Sequence, residues 1–367
     1  MSATLIAHPA IHIRQYLRAL WQHLPNRATG STPTVTSDLD AHRPGATMTN
    51  PRKSSYHPDL RRGVGPGRAV TWTARRRWGL RMMQRFAMRP LVGNELVGAS
   101  NDEISIPSTT TPGHSIRARV YKPASATGPL PAMLYAHGGG YQMGVPEMAH
   151  DFFEDLMQRR EVAIVAPAYR LSLAGHPFPA GLNDCFDTIN YMKSHAADLG
   201  LSDDKFITAG HSGGGGMTAA LTHRVVDAGV VDVAFQMPIY PMLDHRMQTE
   251  SAHMVGSAVW DRRTNAMAWN NYLGHLGGDV PEYASPALRQ DLSRLPPTIS
   301  WVGTVEPFKD ETIAYIEALE AAGVPTRFKL FEGGFHGFEI MSPKVGISQE
   351  AIEFQGSAFA DFYDCYL

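Results

Sequence analysis

The stretch Phe206-Ile207-Thr208-Ala209-Gly210-His211-Ser212-Gly213-Gly214 decides the fold. An apolar run leads into Gly-x-Ser-x-Gly, and Met217-Thr218-Ala219-Ala220-Leu221 follows with the texture of a helix. On a sharp strand-to-helix turn, a serine has its hydroxyl pushed into the open. Such a turn is crowded, and glycine on each flank removes a Cβ that would meet the neighbouring strand or helix. Alone the pattern is weakly specific, because a Gly-rich turn also serves as a plain turn or a phosphate cradle. Gly213, Gly214, Gly215 and Gly216 form a glycine run, but no Gly-Lys-Ser/Thr follows, which argues against nucleotide binding.

Outward from the elbow, short apolar runs alternate with helical patterns. Strands are expected at 116–121, 132–136, 162–166, 206–209, 233–239, 298–302 and 327–331, and helices at 183–194, 214–227, 311–322 and 348–363. Apolar strands separated by helices imply an α/β fold, with a mostly parallel sheet covered on both faces. Segment 246–276 interrupts the alternation. It carries Met247, Met254, Trp260, Met267, Trp269 and Tyr272, and reads as an insertion that lines a site with apolar, adaptable side chains. The competing reading is a packing helix of the main domain.

A serine hydroxyl needs a base, a group that orients the base, and donors for the oxyanion that forms. The donors are expected in His137-Gly138-Gly139-Gly140, which leaves the strand at 132–136. The amides of Gly138 and Gly139, with that of Gly213, make a three-donor oxyanion hole, each worth roughly 3 kcal/mol in the transition state. The base is expected at His336, on a loop with glycines either side after the last strand. The acid is expected at Glu306, at the exit of the strand 298–302, ahead of Asp310, whose alternative role is a contact at a helix N-terminus. The order Ser, acid, His is that of the α/β-hydrolase arrangement.

Composition bounds the rest. The 367 residues suffice for one large α/β domain or two domains, and 43% hydrophobic with 19% charged residues is a soluble globular balance. No apolar run is long enough to span a bilayer, so no stable membrane insertion is expected. The net charge of −2 hides an asymmetry: residues 1–90 hold 14 Arg and 1 Lys against 3 Asp, a net of +12. With no recognisable nucleic-acid module, this reads as a basic arm docked on an acidic body rather than a nucleic-acid binder. The expected organisation is therefore an arm with cap elements over 1–90 and a catalytic domain over 91–367. Within the arm, 71–88 reads as a helix with Trp72, Trp78, Leu80, Met83 and Phe86 as apolar positions, and 28–46 as a loop.

Cys185 and Cys365 are too few for a disulfide scaffold and fit a reducing compartment, so a cytoplasmic location is expected. The Arg-rich N-terminus leaves targeting open. Ile13, Tyr16, Leu17, Leu20 and Leu24 stand at helical spacing, in a targeting helix, a cap helix, or sequence upstream of a true start at Met48. No cofactor or metal is expected: Glu147-x-x-His150 has the spacing of a carboxylate-bridged metal motif but no second copy. Arg170, after Tyr169, is expected to pair with an acid or with backbone carbonyls. A homodimer is one option for the assembly of the chain.

Taken together, the motifs form an ordered series: His137-Gly138-Gly139-Gly140, Tyr169-Arg170-Leu171, His176-Pro177-Phe178-Pro179-Ala180, Gly210-His211-Ser212-Gly213-Gly214, Tyr240-Pro241-Met242-Leu243-Asp244, Ala284-Ser285-Pro286 and Phe335-His336-Gly337-Phe338. The series resembles the hormone-sensitive-lipase-like family of α/β-hydrolase esterases, from about residue 91 to the C-terminus. The resemblance implies carboxylic-ester hydrolysis through an acyl-enzyme, and a cap built from the arm and 246–276. The chain departs from the family at His211 and Gly213, which flank Ser212 where most members have Asp and Ala, and at Glu306, where most have Asp. The long arm and the glutamate acid look like the bacterial esterases that de-esterify sulfonylurea herbicides. The partner expected is a small or medium, partly aromatic ester. An amidase, a lactonase and a non-catalytic ligand receptor are the rivals, and His336 beside an intact serine argues against the receptor.

Overall fold

The computed structural model describes residues 49–367. The expected helix over residues 13–24, the loop 28–46 and Met48 lie outside the described residues.

An eight-stranded sheet carries the fold. Its strands are β1 (Ala99–Pro107), β2 (Ser115–Pro123), β3 (Leu130–Ala136), β4 (Ala163–Pro167), β5 (Leu201–His211), β6 (Asp232–Ile239), β7 (Thr298–Gly303) and β8 (Thr326–Phe331). The order is β1-β2-β4-β3-β5-β6-β7-β8. β2 pairs antiparallel with both β1 and β4, and every pairing from β4 onward is parallel. The seven expected strands are present. β1 was not expected, because its sequence Ala-Ser-Asn-Asp-Glu-Ile-Ser-Ile-Pro buries only Ile106 on an edge that faces solvent.

Parallel strands must be covered on both faces. Alternation along β3 shows how. Met133 and Tyr135 point to one face, where Phe153 and Leu156 of α3 (His150–Arg159) meet Phe359 and Phe362 of α10 (Gly346–Tyr366) in one apolar cluster. Leu134 and Ala136 point to the other face. They pack with Leu182, Cys185 and Ile189 of α4 (Ala180–Ser194), which the single turn α5 (Ala196–Leu199) follows, and with Met217, Leu221 and Val225 of α6 (Gly213–Ala228). Arg170 pairs with buried Asp184 of α4 at 2.7 Å, pinning the loop after β4. Cys185 is buried, Cys365 is exposed, and both are free.

The expected arm helix over 71–88 is in fact broken. α1 (Val64–Ala74) ends at Arg75, and α2 (Arg77–Met83) starts after Arg76 takes extended backbone. The break exposes three of the aromatic positions, Trp72, Trp78 and Phe86, while Leu80 is fully buried. Gly79 explains the tight corner: a Cβ there would stand 2.1 Å from the Thr73 carbonyl oxygen. Within 246–276 lies α7 (Arg262–Leu273), capped by the Asp261 side chain. Its aromatic residues Trp269 and Tyr272 pack on Tyr141, with Tyr272 stacked at 4.2 Å.

Candidate active site

At the elbow, Ser212 has φ 60 and ψ −122, a conformation rare for a residue with a Cβ. It stands where β5 hands over to α6, and it is held on both sides: its N–H donates to the Ile239 carbonyl at 2.9 Å, and its carbonyl accepts from Met242 at 3.0 Å. The flanking glycines are required by contact. A Cβ on Gly214 would lie 2.1 Å from the Ala136 carbonyl oxygen, and one on Gly213 would lie 2.7 Å from the Gly140 nitrogen. The elbow and the loop after β3 therefore touch backbone to backbone.

That loop carries Gly138 and Gly139. Gly139 has φ 118, and Gly140 has φ 60. The Gly138 and Gly139 N–H groups donate to no backbone acceptor among the described residues, and Gly213 is the first residue of α6, whose N–H has no partner within the helix. The loop is fixed from outside. Tyr169 donates its hydroxyl to the His137 carbonyl at 2.7 Å and stacks on the His137 ring. Gln84 from the arm grips Gly144, accepting from its N–H at 2.8 Å and donating to its carbonyl at 3.3 Å. Burial pulls the His137 imidazole down to about 4, so it is neutral near pH 7.

His336 follows β8 and precedes α9 (Phe338–Met341). Its Nε2 lies 2.7 Å from Ser212 Oγ, and its Nδ1 lies 2.6 Å from Glu306 Oε2. Glu306 is fully buried after β7, and its second oxygen accepts the Gly303 N–H at 3.1 Å. With Nδ1–H donated to the carboxylate, Nε2 is left to accept the serine proton. Asp310 is elsewhere. In the first turn of α8 (Lys309–Ala321), it accepts the Ser251 N–H at 2.7 Å and pairs with Lys309 at 3.0 Å. Burial raises its carboxyl, but those contacts outweigh it and hold Asp310 below the ordinary aspartate value. So the structure brings Ser212, His336 and Glu306 together and leaves Asp310 aside.

A cavity of about 280 Å³ opens onto Ser212 and His336. Its walls are mostly apolar, with Val70, Leu80, Met83 and Met88 from the arm and Met143 and Trp260 from the body, and Tyr135, Tyr240, Glu339 and Gln355 reach it as polar side chains. Of the aromatic and methionine residues expected to line it from 246–276, Trp260 does so; Trp269 and Tyr272 turn inward instead. His211, beside the serine, bonds the Tyr135 hydroxyl at 2.9 Å, and burial pulls its imidazole down to about 3. It adds an uncharged wall beside the serine. Glu147 takes Arg117 and the Gly93 N–H, and His150 bonds Tyr121, so these two side chains are engaged with protein partners.

Two residues at the site were given no role by the sequence. Tyr240 packs its ring on His336 at 4.9 Å, and Glu339 accepts the Tyr240 hydroxyl. Tyr240 belongs to the Tyr-Pro-Met-Leu-Asp motif, but that motif names no role for it. Glu339 lies three residues after His336 in a stretch with no periodicity to read.

A family model described as alpha/beta hydrolase fold matches residues 133–340, more than half of the chain. Esterase LipI of Mycobacterium tuberculosis is 28% identical over 244 residues, covering 65% of this chain and 76% of LipI. An ethyl acetate hydrolase of Pseudomonas putida is 26% identical over 248 residues, covering 66% of this chain and 78% of that protein. Among solved structures, a bacterial heroin esterase superposes with a TM-score of 0.75 at 29% identity, covering 84% of this chain and 98% of its own. By the sheet order, the elbow and the family match together, the chain belongs to the alpha/beta hydrolase fold family.

Proposed function

We propose that Ser212, His336 and Glu306 form the catalytic triad of an ester hydrolase that works through an acyl-enzyme. The enzyme is a carboxylesterase, in keeping with its esterase relatives. One observation carries the triad: an unbroken hydrogen-bonded line from Ser212 Oγ through the imidazole to Glu306.

His336 Nε2 takes the Ser212 proton as Oγ attacks the ester carbonyl. The N–H groups of Gly138, Gly139 and Gly213 receive the oxyanion. Glu306 holds Nδ1–H and stabilises the imidazolium that forms. His336 then protonates the leaving alcohol, and a water molecule, deprotonated by the same nitrogen, cleaves the acyl-enzyme. The elbow, in contact with the Gly140 backbone, sets donors and nucleophile in one frame before substrate arrives.

The arm and segment 246–276 act as the cap. The apolar cavity and its volume support small to medium, partly aromatic esters. The long arm and the glutamate acid support methyl and ethyl esters of sulfonylurea herbicides as the first class to screen. Ser212→Ala decides the mechanism: it should abolish hydrolysis of p-nitrophenyl acetate, and a variant as active as wild type would end the proposal. A panel of matched esters, amides and lactones separates the reaction class.

A further inference from the structure

His336 is gripped by more than its acid. Three rings surround it, Tyr240 at 4.9 Å, Phe308 at 5.1 Å and Trp260 at 6.3 Å. Of these, Tyr240 alone has its polar end tied to the segment that carries His336. Its hydroxyl donates to Glu339 Oε1 at 2.5 Å, and Glu339 sits on α9, directly after the histidine loop. Tyr240 in turn belongs to the elbow side. It follows Ile239, whose carbonyl accepts the Ser212 N–H, and it precedes Met242, whose N–H donates to the Ser212 carbonyl. The Tyr240 N–H donates to the Trp301 carbonyl, and φ is 33, a left-handed backbone value that a tyrosine adopts only under constraint. The ring also meets Trp301 edge-on at 4.7 Å.

We propose that Tyr240 and Glu339 are a pair of positioning residues that lock the His336 loop to the nucleophile elbow and hold the imidazole in line with Ser212. This rests on the triad reading above. Glu306 orients the imidazole along one axis, from Nδ1. The Tyr240 ring blocks rotation out of that line, and Glu339 keeps the ring from swinging. The arrangement comes at a cost, since Glu339 is buried and its Oε2 has no partner among the described residues. Burial pushes the carboxyl up to about 7, with Glu306 adding to the rise and the Tyr240 hydroxyl opposing it. Tyr240 hydrogen-bonds it, Tyr135 and Glu306 act on it through their charges, and His211 and His336 stand on the far side of it, against the Tyr240 ring. A buried carboxyl with one idle oxygen is an expensive way to fill space, and its placement between histidine loop and elbow gives it a task.

The experiment is a cycle of Tyr240→Phe, Glu339→Leu and the double variant, with Glu339→Gln as conservative rescue and Ser212→Ala as control. Active sites are counted with a fluorophosphonate, so kcat is expressed per competent site. Tyr240→Phe and Glu339→Leu should each lower kcat roughly tenfold with KM within about twofold, as expected for a misaligned base. The double variant should lose no more than either single, and Glu339→Gln, which still accepts the Tyr240 hydroxyl, should recover most of kcat. The pH profile of kcat should change in Glu339→Gln, because a titrating carboxyl beside the base is removed. If both single variants keep wild-type kcat, if their losses multiply in the double, or if kcat and KM change together with the pH profile unmoved, the pair is structural filler and the proposal falls. If Ser212→Ala itself remains active, it is the triad reading that falls.

Discussion

At the elbow, the atoms that set the geometry are backbone atoms. Gly213 and Gly214 lie against the Gly140 nitrogen and the Ala136 carbonyl, and Ser212 is bonded to Ile239 and Met242 through its own peptide groups. At the arm, the deciding atoms are side chains. Leu80 and Met88 fill an apolar cluster with Met143 and Val145, and Arg75 pairs with the buried Asp261. The first region has no slack, because a methyl on the wrong residue meets a carbonyl oxygen. The second tolerates exchange, because apolar volume can be supplied by many side chains. The elbow is thus fixed by backbone, and the arm side of the cavity is built from side chains that can be exchanged.

That contrast is breakable at four points. The largest effect belongs to the elbow. Ser212→Ala should lower kcat on p-nitrophenyl acetate by about a million-fold, with an unchanged unfolding midpoint; a loss below about a hundredfold would mean that the nucleophile is elsewhere. Next comes the acid. Glu306→Ala should cost about ten-thousand-fold in kcat, and Asp310→Ala less than about threefold, since Asp310 caps a contact with Ser251 rather than touching the base. Steady-state kinetics of both variants side by side would reverse the assignment if the larger loss fell on Asp310.

The arm should behave differently. Arg75→Leu leaves Asp261 buried with the N–H groups of Gly256 and Thr264 but no counter-charge. A loss of about 3 kcal/mol is expected, read as a lowered urea midpoint. Activity on p-nitrophenyl acetate should stay within about twofold while KM for bulkier aromatic esters rises. Equal losses on small and large substrates would erase the distinction between the two regions.

The smallest effect concerns acid. His137, His150, His211 and His223 all lie in the body, and burial pulls each below the ordinary histidine value, to about 4, 4, 3 and 3. In the unfolded chain they titrate near 6.5, so the unfolded state takes up protons first as pH falls. Stability from these groups is present above pH 6.5 and is lost progressively below it, until the folded values are reached. For His223, hydrogen-bonded to Tyr315 at 3.0 Å, the loss at pH 5 is on the order of 2 kcal/mol. Urea unfolding at pH 7 and pH 5 should show a smaller drop for His223→Gln than for wild type. Arg75→Leu should not alter that drop.

The same contrast explains what was legible. The inner strands β3 to β7 could be read because apolar runs buried on two faces leave a strong mark, and the meeting of Ser212 with His336 could be read because that chemistry admits few residue types at few spacings. Glu306 followed from its place at the exit of β7. β1 escaped because Asp102, Glu103 and Ser105 are exposed on an edge strand. The arm was misread as one helix because Trp72, Trp78 and Phe86 mimic an apolar stripe, while the break at Arg75-Arg76 is dictated by Gly79 packing on Thr73, a contact made between turns rather than along the sequence. Tyr240 and Glu339 escaped for a related reason: they meet only after the chain has closed.

Gly140 has one more consequence. The point where its Cβ would sit is 2.4 Å from the indole of Trp260. A methyl at 140 and an indole at 260 claim the same volume, so the two positions are locked in exchange. Any redesign that widens the cavity by shrinking Trp260 also relieves the crowding around the glycine opposite, and the freedom gained is delivered straight to the loop proposed to cradle the oxyanion. Reshaping the room for substrate and keeping the amides still are therefore, at this one spot, competing demands.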